Sequence, residues 1–120
     1  MSRFRLAIVA GVLVIFIGVG AYLIFGNKKT APKPVTFNVT VTGAKSMKPP
    51  ELTVNQNDTV TINIASDTTG EVHLHGYDIP FVCVAGQVVS HTFKATISGG
   101  PFDIEWESAS TLLGHLIVNP

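Results

Sequence analysis

Two patterns of apolar residues divide the chain. From Leu6 to Gly26 apolar and small residues run on without a charge, and from Val35 onward apolar residues fall on every second position. In VTFNVTVT, residues 35–42, Phe37, Val39 and Val41 share one parity while Thr36, Asn38, Thr40 and Thr42 share the other. DTVTINIAS, residues 58–66, repeats the scheme with Val60, Ile62 and Ile64 against Thr59, Thr61 and Asn63. A period of two belongs to a half-buried strand. Further strands are expected at 51–54, 71–77, 87–95, 102–107 and 114–119, separated by the turn signals KPPE, NQND, SDTTG, VAG and ISGGP. No stretch of this region carries a helical stripe. Residues 35–120 therefore predict an all-β domain, an antiparallel sandwich or barrel of Greek-key type.

The uncharged run, residues 6–26, has the length of a single N-terminal transmembrane helix: about twenty residues at about 1.5 Å each span a hydrocarbon core of about 30 Å. It exceeds the usual apolar region of a signal peptide and lacks a clean Ala-x-Ala site, which favours an uncleaved anchor; cleavage near VGA would instead release a secreted domain. Arg3 and Arg5 precede the run while Lys28, Lys29 and Lys33 follow it, so flanking charge alone does not orient it. A small β domain on a short anchor is most simply a translocated one. The expected organisation is a cytoplasmic N-terminus (1–5), a cell-membrane anchor (6–26), a Pro- and Lys-containing linker (27–34) and an extracytoplasmic domain (35–120).

Charge narrows the function. The chain of 120 residues balances eight Lys and Arg against eight Asp and Glu, without the basic excess of a nucleic-acid binder. The only cysteine, Cys83, has no partner for an internal disulfide, and its apolar neighbours mark it as a core thiol. No nucleophile elbow, phosphate-binding glycine loop or zinc-protease helix motif is present, and the chain is not expected to be an enzyme.

One stretch, GEVHLHGYDIP, carries candidate chemistry. On a strand, His73 and His75 share a face with Glu71 and Tyr77, opposite Val72 and Leu74. Residues i and i+2 lie about 6–7 Å apart, close enough for two imidazoles to meet at one ion, although the same pattern also describes two histidines facing water. Glu105 and Glu107 alternate with Ile104 and Trp106 and offer a carboxylate to such a site. His91 falls in phase with Val89 and Phe93, as a buried structural histidine would, and His115 in LLGHLIVNP reads as partly exposed. Met47, in GAKSMKPPE, is a thioether in a loop, where packing is the ordinary role.

The succession PPELTVNQNDTVTINIASDTTGEVHLHGYDIP, VAGQVVSHTFKATISGGPFDIEWES and LLGHLIVNP resembles the cupredoxin superfamily, in particular its small membrane-anchored or secreted bacterial members. The resemblance covers residues 35–120, and EVHLHGYD is its most specific part. It implies a Greek-key β-sandwich and, in copper-binding members, a type 1 copper held by a histidine after the fourth strand and by Cys, His and often Met around the last loop. His75 matches the first histidine. The cysteine position falls at Trp106 and the methionine near Leu112, and residues 107–113 contain neither His nor Cys. Without the thiolate, type 1 copper is not expected. In similar domains an acidic residue on the Phe-x-x-Glu strand accompanies the paired histidines, which points to Glu105 or Glu107. The expectation is thus a membrane-anchored, extracytoplasmic cupredoxin-like domain that binds a copper ion or another transition metal through His73 and His75. The alternative is a metal-free sandwich serving as a protein-interaction or accessory module with a membrane or envelope partner.

Overall fold

The computed structural model describes residues 31–120, where nine strands form two facing sheets. They are β1 (Pro34–Thr42), β2 (Ser46–Lys48), β3 (Glu51–Asn55), β4 (Thr59–Ser66), β5 (Gly70–Leu74), β6 (Ile79–Cys83), β7 (Val88–Lys94), β8 (Gly99–Trp106) and β9 (Thr111–Asn119), with a 3-10 turn at Glu107–Ala109. The anchor expected at 6–26 and the N-terminus at 1–5 lie outside the described residues. Among the described residues no helix is long and apolar enough to cross a membrane.

One sheet has the order β2-β1-β4-β7 and the other β3-β9-β8-β5-β6. Alternation places Val39, Val41, Val60, Ile62 and Ile64 of the first sheet in the core. Leu52, Val54, Val72, Leu74, Phe81, Ile104, Trp106, Leu116 and Val118 of the second join them there. Burying one such aliphatic or phenyl side chain stabilises by about 1.5–3 kcal/mol. Residues 31–120 thus form a unit of their own, with a continuous core.

The sandwich is not purely antiparallel, as its period-two pattern led one to expect. β1 pairs with β4 in parallel, and β3 pairs with β9 in parallel. The chain crosses after β2 to the far sheet as edge strand β3 and returns as β4 beside β1.

Three further departures have local causes. The strand expected at 71–77 stops at Leu74, because residues 75–78 form a turn with Gly76 and Asp78 at positive φ, 83° and 53°. β6, which contains Pro80, is an edge strand, the place in a sheet where proline is tolerated. β9 begins at Thr111 rather than 114, since a bulge interrupts the alternation: Ile104 faces Gly114 while Glu105 faces Leu112, leaving Leu113 as an extra residue.

Asp58 ties the start of β1 to the domain. Its buried carboxylate accepts the Asn55 N–H (2.9 Å) and the Lys33 N–H (3.1 Å) and lies 3.5 Å from the Lys33 ammonium. The Asn55 N–H above all holds its pKa below the ordinary value, burial works in the other direction, and Lys33 adds to the lowering. A carboxyl depressed by folding stabilises the domain above its unfolded pKa of about 3.9, and that contribution fades as pH falls through the lower folded value. Asp58→Asn is therefore expected to lower the melting temperature at pH 7 by several degrees. It should also flatten the loss of stability below pH 4, as measured by thermal melts across that range.

Candidate metal centre

The centre is built where β5 lies beside β8. His73 stands directly opposite Glu105, and the His75 N–H continues the ladder past Leu74 by donating to the Asp103 carbonyl at 2.9 Å. The turn that follows is closely fitted. Gly76 presses its backbone against Phe102, where a Cβ would overlap the ring, and glycine adopts its positive φ without steric cost. The Tyr77 hydroxyl donates to the Ile97 carbonyl (2.6 Å) and accepts the Ile97 N–H (3.0 Å), while its ring packs against Phe93 and Phe102. Burial raises the Tyr77 pKa, so the phenol stays protonated and keeps donating.

This turn aims Asp78 back at the strand. Its carboxylate lies 2.7 Å from His73 Nε2, although the side chain is itself 93% exposed. A carboxylate only accepts, so in the neutral imidazole the proton resides on Nε2 and the lone pair on Nδ1. His73 Nδ1 is buried and has no hydrogen-bond partner among the described residues. It faces Glu107 Oε1 at 3.7 Å, and the His75 ring stands edge-on to the His73 ring at 4.5 Å between centroids. His75 Nε2 is in turn 3.1 Å from Glu105 Oε1. An ion taken by His75 through Nδ1 would leave that bond in place.

His73, His75 and Glu107 each bring a donor atom to within 4.8 Å of the others. Metal–nitrogen and metal–carboxylate distances are about 2.0–2.2 Å, so the gap between His73 Nδ1 and Glu107 has the right size for one ion. An unpaired buried acceptor costs about 1–3 kcal/mol, which a cation at this point would offset. Two imidazoles and a carboxylate suit Cu(II), Zn(II) or iron better than Cu(I), which prefers sulfur.

The structure gives the two acidic candidates different positions. Glu107, at the start of the 3-10 turn, faces the open nitrogen; Glu105, on β8, holds the far side of His75. Asp78 holds His73 in the same way and was hidden in the sequence, because HLHGYD continues the strand alternation through the residues that turn. A carboxylate behind a ligating histidine fixes its tautomer and direction, and its loss usually weakens metal binding 10–100-fold. Asp78→Ala is expected to fall in that range by Cu(II) titration while leaving the melting temperature nearly unchanged, since the side chain is exposed.

The other candidates stand apart. Trp106 is buried, with Gly70 tight against its ring, and Leu112 is 48% exposed. Met47 is buried in β2 against Gly114. Cys83 is in the core, where burial pushes its thiol pKa up. His115 is half-buried, with Nε2 3.5 Å from Asp103. His91 is exposed, contrary to its inward phase: β7 is an edge strand, and the ring rests edge-on against Phe81 at 5.0 Å.

No protein-family model matches the chain, and no curated protein matches it in sequence. Solved structures do. A copper binding protein, determined in solution in its apo form, aligns with a TM-score of 0.60 at 13% identity, over 78% of this chain and 97% of that one. A heme-copper terminal oxidase dimer aligns at 0.54 and 16% identity, over 69% of this chain and 63% of that chain. Fet3p, a multicopper oxidase that functions in iron import, aligns at 0.52 and 20% identity, over 72% of this chain but 23% of its own. At such identities the likeness is one of fold, and the fold of residues 31–120 is cupredoxin-like.

Proposed function

We propose that this domain binds one transition-metal ion, copper as Cu(II) foremost, between His73, His75 and Glu107, and carries the ion without catalysing a reaction. The observation behind this reading is the buried, unpartnered His73 Nδ1 facing a second imidazole and a carboxylate. The copper-binding protein of similar fold supports the choice of metal. The uncharged run at 6–26 supports a place on the cell membrane, with the domain outside the cytoplasm. Asp78 and Glu105 hold the imidazoles in position, and Glu107 contributes a hard oxygen that favours the divalent ion. Electron transfer at a type 1 centre is not part of the proposal, because no thiolate reaches the histidines.

The test is calorimetric titration of residues 31–120 with Cu(II). One equivalent is expected to bind with micromolar or tighter affinity. His75→Ala should abolish that phase, and Glu107→Gln should weaken it while preserving the fold. Equal, weak binding by all three proteins would sink the reading and leave a metal-free interaction module.

A further inference from the structure

The balanced charge of the whole chain hides a polarised domain. Residues 31–120 hold all eight carboxylates but only four lysines, a formal charge of −4 with histidines neutral. Six of the eight, Glu51, Glu71, Asp78, Asp103, Glu105 and Glu107, lie on the outer side of the five-stranded sheet or in its connections. The four lysines, Lys33, Lys45, Lys48 and Lys94, all lie in or beside strands of the other sheet.

Outward positions of a sheet are commonly paired with opposite charge across strands, which stabilises the sheet. Here the register does otherwise. Glu71 faces Val82, Glu105 faces Leu112, and Asp103 and Glu51 both face His115. Val82 is 65% exposed and Leu112 48%. Acidic and exposed apolar side chains are thus interleaved on one face, with no lysine or arginine among the described residues placed to neutralise it. Asp78, Glu105 and Glu107 serve the metal centre, but Glu51, Glu71 and Asp103 extend the negative charge beyond it, and a face of one sign attracts a partner of the other.

We infer that this outer face is a docking surface for a partner protein that presents lysines or arginines interspersed with apolar side chains, since Val82 on β6 and Leu112 on β9 flank the acidic rows of β5 and β8. Charge complementarity selects the occupant: phosphate backbones and anionic lipid headgroups are repelled, whereas a basic protein surface is attracted and oriented. Val82 and Leu112 supply apolar area that becomes dry on contact, which distinguishes docking from a diffuse cloud of counterions. The inference holds for the metal-free domain.

The experiment follows backbone amide shifts of labelled residues 31–120 during titration with a synthetic peptide of alternating lysine and leucine. Shifts are expected to concentrate on β5, β6, β8 and β9. Affinity should fall at least about tenfold in about 1 M salt, where the screening length is about 3 Å. Glu71→Lys with Asp103→Lys should weaken binding, and so, independently, should Val82→Ser with Leu112→Ser. Shifts spread over both sheets would overturn the inference, as would unchanged binding in either double variant. The Val82→Ser, Leu112→Ser protein should retain its Cu(II) affinity, so a failure here is separable from a failure of the metal centre.

Discussion

Replacing His73 with alanine is expected to weaken Cu(II) binding by more than about a hundredfold, beyond the usual loss when only a supporting residue is removed. His73 is held from behind by Asp78, faces Glu107, and stacks edge-on with His75, so its removal leaves the two remaining donors without their common neighbour. The side chain projects from the outer face of β5 while Val72 and Leu74 fill the core, so the fold should survive the change. Titration together with a thermal melt checks both halves. A His73→Ala protein that binds as tightly as the parent would remove His73 from the site, and one that unfolds would make it a structural residue.

The second large effect concerns Trp106→Cys, which places a thiol at the position where the resemblance to copper-binding cupredoxins implies one. Trp106, on β8, pairs with Val72 of β5 and points inward, whereas His73, next after Val72 on β5, points outward. A cysteine at 106 would therefore lie on the opposite side of the sheet from the imidazoles. It would also leave the volume of an indole empty beside Gly70, a loss on the scale of about 3–5 kcal/mol. The expected result is a marked drop in melting temperature and no intense blue absorption on adding Cu(II). A stable, blue Trp106→Cys protein would show that the site can be reached from within.

The sandwich was legible wherever one side of a strand faces the core, since β1 and β4 display their period of two without interruption. It was less legible at the edges. β2 has three residues, too few for a pattern, and β6 is masked by Pro80. The candidate site divides in the same way. His73 and His75 are visible as a pair because an alternation of two brings them to one side, even though the backbone turns before His75. The separate placements of Glu105 and Glu107 depend on a single pairing, His73 with Glu105, which no one-strand pattern specifies. Asp78 was invisible for a different reason: its position depends on the left-handed backbone of a turn, which parity reasoning carries straight through.

The bulge at Leu113 has a bearing on how this domain can vary. Before it, odd-numbered positions of β9 point inward; after it, even-numbered ones do, as the successive burial of Leu113, Gly114 and Leu116 records. The two halves of the strand are therefore out of phase, and the extra residue absorbs the mismatch. Shortening or lengthening the segment from Glu107 to Leu112 by one residue can be taken up at that point without rotating Leu116 and Val118 out of the interior. The loop that supplies Glu107 is thus free to be remodelled, by evolution or in the laboratory, at little expense to the half of β9 that holds the sandwich closed.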